Sequence, residues 1–384
     1  MERILQVVTY MGRGGIETML MNYYRRIDRE KIQFDFLVHR DFRADFDDEI
    51  EALGGRIYRV PTMNPASGSY RKALADFFKD HSYQVVHCHL NYMSGIVLAA
   101  AKKAGVPVRI AHAHTASMAP GWKQAVRRLC KYLIPMTATH RFACSTEAGR
   151  AIFGRQDFSI LANAIDAVAF TPNEDIRTQV RSELGLGDAL AVMHVGRMVY
   201  AKNHEFLLDA FRELLTAEPG ARLVLIGDGE LRPEIEAQAA GLPAGSVLLL
   251  GTRTDIPRLL QAADVFAFPS RFEGMPVTMV EAQAAGLPCI KSTTVTDECI
   301  VTDLVTSLPI DDSKSWADAI YEYPYEYRSF YKRTSTGLRI SMVSGVTEQS
   351  MARICTPALA ASRSALPNSG SVASLGWRYR TSDI

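Results

Sequence analysis

Residues 269–288 read PSRFEGMPVTMVEAQAAGLP, with Glu273 and Glu281 eight positions apart. The preceding run, Asp264 to Phe268 (DVFAF), is short, apolar and β-prone, and it stops at Pro269 as a buried strand does. Met275-Pro276 suits a helix start, because proline at the first helical position forfeits no hydrogen bond. Val277 to Ala285 then continues at helical length as far as Gly286-Leu287-Pro288. The order is strand, loop, helix and stop. It puts Glu273 in the loop and Glu281 in the helix, both beyond a strand carboxyl end, where open α/β sheets bind ligands. A carboxylate accepts hydrogen bonds from vicinal hydroxyls, so the pair expects a polyhydroxylated ligand. Spacing alone better suits two solvated acids on a helix face, and the flanking sequence has to shift that balance.

Upstream, strand-like runs at Ile4–Val8, Phe34–Val38, Ile57–Val60, Gln84–Cys88, Val108–Ala111 and Arg141–Cys144 alternate with helical segments. Periodicity breaks over Asn163–Asn173. The alternation then restarts with Ala191–Val195, Arg222–Ile226, Val247–Leu250, Asp264–Phe268 and Cys289–Lys291. The reading is α/β throughout: a Rossmann-like doubly wound domain over 1–165, a second over 174–325, and a cleft where their strand ends face each other.

Composition fits two folded domains. The chain has 384 residues, and a formal net charge of +1 argues against nucleic acid as a partner. Six scattered cysteines, without CxxC spacing, fit a reducing cytoplasm. No apolar run is long enough to span a bilayer, and MERILQVVTY enters a strand pattern without a signal peptide. Lys123–Ile134 (KQAVRRLCKYLI) sets Lys123, Arg127, Arg128 and Lys131 beside large apolar residues. That pattern fits either peripheral contact with an anionic membrane or an ordinary amphipathic helix.

The loops after the strands carry the candidate chemistry. Gly12-Arg13-Gly14-Gly15 precedes a helix, so its amides can approach an anion. Gly196-Arg197 and Lys202-Asn203 follow the second domain's first strand, and Arg197 and Lys202 can both reach a diphosphate. Gly227 lies in IGDGELR and Arg253 in GTRTDIP, turns that can set backbone groups against a nucleotide base. Asp45-Phe46-Asp47 spells DxD, but within RADFDDEIEALGG it reads as the acidic opening of a helix.

With GRGG at 12–15, GR-x4-KN at 196–203, IGDGELR at 226–232, GTRTDIP at 251–257 and FEGMPVTMVEA at 272–282, the chain resembles retaining family 4 glycosyltransferases of the exopolysaccharide and capsule branch. The resemblance implies the GT-B fold and transfer from a nucleotide sugar, such as a UDP-sugar, to a lipid-linked or saccharide acceptor, with no metal required. It implies that Glu281 holds the donor ribose, Glu273 binds hydroxyls of the transferred sugar, and Arg197 and Lys202 grip the diphosphate. Gly14 and Gly15 match the loop closing over phosphate from the opposite domain. Within RIAHAH, His114 rather than His112 is expected to face the donor sugar, since His112 continues the strand. A nucleotide-sugar epimerase and an inert nucleotide-sugar binder are the alternatives. Two features depart from the family pattern. Residues 326–384 show neither helical nor strand period and read as a disordered or frame-altered tail, and Lys291 stands where a buried strand should carry no charge.

Overall fold

The computed structural model describes residues 1–115 and 130–331. In the first half, β1 (Glu2–Val7), β2 (Ile32–Val38), β3 (Ile57–Arg59), β4 (Val85–Cys88), β5 (Val108–Ala113), β6 (His140–Ala143) and β7 (Ser159–Ile160) form a seven-stranded sheet in the order β3-β2-β1-β4-β5-β6-β7. In the second half, β8 (Ala191–Val195), β9 (Arg222–Ile226), β10 (Val247–Leu249), β11 (Val265–Phe268), β12 (Cys289–Ser292) and β13 (Val305–Leu308) form a six-stranded sheet in the order β10-β9-β8-β11-β12-β13. Every pairing is parallel, with helices as crossovers. Two short strands escape the sequence reading. Ser159–Ile160 spans two residues, and Val305–Leu308 (VTSL) lies at a sheet edge with too little apolar content to stand out.

Both sheets are covered on both faces, which is why their central strands read as near-continuous apolar runs. The pleat sends alternate residues to opposite cores. Leu5 and Val7 join one cluster while Ile4 joins another; Ala191, Met193 and Val195 separate from Val192 in the same way. The linker is tied to both halves. Asn22 Nδ2 donates to Ala164 O at 2.9 Å and Tyr23 Oη to Ala162 O at 2.8 Å, while Asn173 N donates to Gln261 Oε1 at 2.9 Å.

Helix Ser313–Tyr331 closes the second domain against helix His204–Ala217, anchored by the fully buried Trp316, whose Nε1 donates to Pro309 O at 2.7 Å. It runs past residue 326, and the tail read from sequence otherwise falls at 332–384, outside the described residues. Lys123, Arg127 and Arg128 of the basic segment also lie outside them. The described end of that segment turns inward: Cys130 and Ile134 are buried, and Lys131 Nζ donates to Ala151 O at 2.7 Å. Among the described residues, no helix is long and apolar enough to cross a membrane.

Lys291 is not the unpaired charge expected from sequence. It is fully buried on β12, but its Nζ lies 2.8 Å from Asp297 Oδ1 and donates to Val295 O at 2.8 Å. The chain turns back after β12 and brings the carboxylate to the ammonium, while Asp297 itself stays solvated. Removing one partner should therefore be worse than removing the charge. Asp297→Ala, which strands a buried ammonium, should cost about 3 kcal/mol, and Lys291→Met less than about 1.5 kcal/mol. Urea denaturation of the two variants checks the order; an equal or reversed cost would refute it.

Candidate active site

The loop after β11 is where the two halves of the chain meet. Glu273 Oε1 lies 2.7 Å from Lys202 Nζ, with both side chains less than one-fifth exposed, and the same Nζ sits 4.6 Å from the centroid of the Phe268 ring. Gly274 lies so close to the first domain that a Cβ there would stand 2.2 Å from His114 O. Met275 O accepts from Asn163 Nδ2 of the linker at 2.8 Å. A Cβ on Gly15 would meet Val277 Cγ2 at 3.8 Å, so the N-terminal glycine loop lies against the start of helix Val277–Ala284. That helix begins one residue later than its Pro276, which is the N-cap and not the first helical residue. Four residues within a stretch of five thus touch a cation, a histidine segment, the linker and a glycine turn.

Glycine at 227 is required by packing. Its φ is +136°, and a Cβ there would stand 2.1 Å from Gly196 O. Gly229 likewise packs on Met198, where a Cβ would come within 2.4 Å of the carbonyl oxygen. The turns after β8 and β9 therefore interlock, and Arg197, exposed between them, is carried on rigid backbone. Arg253, after the edge strand β10, has its guanidinium taken up by Asp255 in two bonds of 2.8 Å each. Its turn touches Gly227, whose N–H donates to Gly251 O at 2.8 Å.

Two carboxyl groups are held in low-dielectric surroundings. Glu281, in helix Val277–Ala284, is 7% exposed with no hydrogen-bond donor among the described residues, and burial lifts its pKa from 4.5 to about 7. Glu17, which the sequence reading missed, curls over the glycine turn so that a Cβ on Gly14 would meet its Oε2 at 2.3 Å. Burial raises its pKa to about 7 against the opposing pulls of its own backbone N–H and of Arg197 across the cleft. The N-terminus of helix Gly15–Tyr24 is thus already faced by a carboxyl group of its own first turn. The DxD acids are engaged elsewhere: Asp47 pairs with Arg59 at 2.5 Å, and Asp45 lies 3.6 Å from Arg13.

Beside Gly274 stands an array of four histidines at the ends of β4 and β5. His87 Nε2 lies 3.1 Å from His112 Nδ1, and His89 Nδ1 lies 2.9 Å from His114 Nε2. The two pairs lie against each other with their rings tilted, the centroids 4.1 Å apart at 40° for His87 and His89 and 3.9 Å apart at 39° for His112 and His114. Burial keeps the rings neutral, driving His87 and His114 to about 3 and His89 and His112 well below 6.5. His112 is 1% exposed within β5. His114 follows the strand, is partly exposed, and has its N–H fixed by Asn91 Oδ1 at 2.7 Å, with Asn91 itself at φ +51°. Nitrogens of His87, His89 and His112 fall within 4.8 Å of one another. His87 Nε2, His112 Nδ1 and both nitrogens of His89 are already engaged in hydrogen bonds, however, which suits paired imidazoles better than a shared cation. The readable signal for His87 and His89 was a second H-x-H, HCH, ending the strand next to HAH.

The profile of the Glycosyl transferase 4-like domain matches residues 14–158, and that of the Glycosyl transferases group 1 family matches 189–323. EpsF of Bacillus subtilis (strain 168), a glycosyltransferase by name, is 39% identical over 83% of this chain and 87% of its own. The chain belongs to the family 4 glycosyltransferases. An Escherichia coli UDP-Gal:alpha-D-GlcNAc-diphosphoundecaprenol alpha-1,3-galactosyltransferase is 30% identical over 64% of this chain and 68% of its own. Among solved structures, Anabaena HepE in complex with UDP-glucose aligns with a TM-score of 0.72 at 19% identity, covering 95% of this chain and 99% of that one. The sucrose-phosphate synthase of Thermosynechococcus elongatus aligns at 0.75 and 16% identity over 95% of this chain and all of that one. Such distant matches establish the GT-B fold. The glycosyltransferase relatives favour neither the epimerase nor the inert-binder reading.

The two elevated carboxyls give the free glycosyltransferase a signed pH dependence. Between 4.5 and about 7 the folded enzyme binds more protons than the unfolded chain, so the stability contributed by the neutral acids is complete below 4.5 and lost as pH rises through 7. The buried neutral histidines contribute the opposite slope in both proteins, so the test is a difference: between pH 5 and pH 8, chemical denaturation should show the wild type losing stability relative to the Glu17→Gln, Glu281→Gln double variant. An unchanged slope in that variant would count against the burial assigned to both groups.

Proposed function

We propose that this glycosyltransferase moves a hexose or N-acetylhexosamine from a UDP-sugar to a lipid-linked or saccharide acceptor, with retention of configuration, in assembly of an extracellular polysaccharide. The observation that carries the reading is the convergence on the loop after β11, where an acid, a cation and the His114 segment meet at the ends of both sheets. The UDP-glucose complex of HepE and the diphosphoundecaprenol-linked substrate in the name of the Escherichia coli relative support the two substrate classes.

A sugar leaving UDP develops positive charge at its anomeric carbon and negative charge on the phosphate. Arg197 and Lys202 are assigned to that phosphate charge, so the reading requires no metal. Glu281 takes the ribose hydroxyls as a carboxylate, and Glu273, braced by Lys202, takes hydroxyls of the transferred sugar. His114 faces that sugar. Gly14 and Gly15 close from the first domain, while the turns of Gly227 and Arg253 flank the base. Retention follows from the family resemblance, with transfer on the face that the phosphate leaves. The protein is assigned to the cytoplasm, at the inner face of the membrane, through the basic segment 123–134; the 71% exposure of Tyr132 supports that placement.

Incubation with a panel of UDP- and GDP-sugars, with and without lipid-linked acceptors, should give nucleoside diphosphate release that depends on acceptor. Lys202→Ala should lower kcat by roughly 100-fold. Glu281→Ala should weaken UDP binding by roughly 10-fold or more, read by calorimetry. Interconversion of the donor without acceptor, or unaltered behaviour of both variants, would overturn the assignment.

A further inference from the structure

We infer that Gln6 and His89 are positioning residues that fix the tautomer of His114, so that its Nδ1 presents a lone pair and accepts a hydrogen bond from a hydroxyl of the donor sugar. The inference rests on the reading that His114 faces that sugar.

The geometry is a single chain of bonds. Gln6, fully buried on β1, turns its Oε1 to His89 Nε2 at 2.9 Å, and His89 Nδ1 lies 2.9 Å from His114 Nε2. An amide oxygen has no proton to give, so His89 Nε2 carries the hydrogen of that bond. A neutral imidazole then has a bare Nδ1, which can only accept, and the proton of the next bond belongs to His114 Nε2. His114, also neutral, is left with an unprotonated Nδ1. That atom is buried and has no hydrogen-bond partner among the described residues. An orphan acceptor needs a donor, and a sugar hydroxyl is one; backbone position is already fixed by the bond from His114 N to Asn91 Oδ1. The stacked His87–His112 pair packs against this chain and adds no ionised group to it.

Polarity therefore propagates from the centre of the sheet to the cleft. A site that offers only an acceptor selects a sugar with a hydroxyl there. It rejects a deoxyfluoro analogue, because fluorine cannot donate. A His114 of the other tautomer would tolerate the fluorine.

The test uses the full-length enzyme and three readouts. In 15N-histidine NMR, His114, assigned from loss of its signals in His114→Gln, should show a protonated Nε2 and an unprotonated Nδ1 at neutral pH. His89→Leu, which removes the acceptor, should scramble that pattern and lower kcat/KM by roughly 10- to 100-fold. His89→Gln can accept from His114 through its oxygen and donate to Gln6 through its nitrogen. It should restore both the pattern and activity to within about threefold. One member of a deoxyfluoro UDP-sugar series should lose turnover in the wild type. A protonated Nδ1 in the wild type, or a His114 tautomer unmoved in His89→Leu, overturns the inference. The NMR arm needs no turnover, so a wild type without transferase activity would sink the functional reading while leaving the tautomer decided on its own.

Discussion

Gly274 lets the backbone after β11 lie against the carbonyl of His114, at a spacing where any Cβ would stand 2.2 Å from the oxygen. The rest of the site depends on that approach. Two parallel sheets, each buried on both faces, have no reason of their own to share a ligand, because each satisfies its core separately. One contact that joins them, at their carboxyl ends, is made by a residue without a side chain. Its neighbours then divide the tasks by chain order: Glu273 reaches Lys202, Met275 reaches the linker, and Val277 meets the glycine turn. A one-residue insertion in this loop would separate groups that come from four segments of the chain.

Charge in the cleft is arranged in matched or neutralised form. Lys202 is held by Glu273 and Arg253 by Asp255, while Glu17 and Glu281 are pushed toward neutrality by burial and all four histidines are kept unprotonated. Isolated ions are expensive in such surroundings, and each of these groups escapes the cost by pairing or by taking the uncharged form. Arg197 differs, since it is exposed and set on interlocked turns. A nucleoside diphosphate, on the proposed reading, would meet rigidly mounted positive charge and displaceable hydrogen-bond partners, an arrangement that lowers reorganisation at the moment the sugar leaves.

The alternation of apolar runs with helical segments carried most of the fold, because parallel strands buried on both faces leave long unbroken signals. Edge elements left weaker ones: β7 is two residues long, and β13 has no fully buried residue. Lys291 misled for a physical reason, since sequence shows burial of a residue type but not the turn that returns Asp297 to it. The same limit hid Gly274, whose need for glycine is set by a carbonyl 160 positions away in the chain. Glu17 was hidden by a turn that folds it onto Gly14, and His87 and His89 by an adjacency of β4 and β5 that only the sheet order reveals. Residue types announced the chemistry; through-space partners fixed the form in which each group is held.

Glu17 also revises what a glycine-rich turn before a helix means. The sequence GRGG invites an anion because the first amides of a helix lack internal partners. Here the carboxyl group of the helix's own first turn lies over Gly14 and draws on a backbone N–H, so part of that anion-binding capacity is already in use. Among the described residues, exposed positive charge without an ion-pair partner lies on the opposite wall, at Arg197, which is also the charge that Glu17 senses. On the proposed reading, an incoming phosphate would meet a turn whose glycines give it room to approach and an arginine that gives it charge. Steric permission and electrostatic attraction come from different domains, and only the closed arrangement about Gly274 supplies both at once.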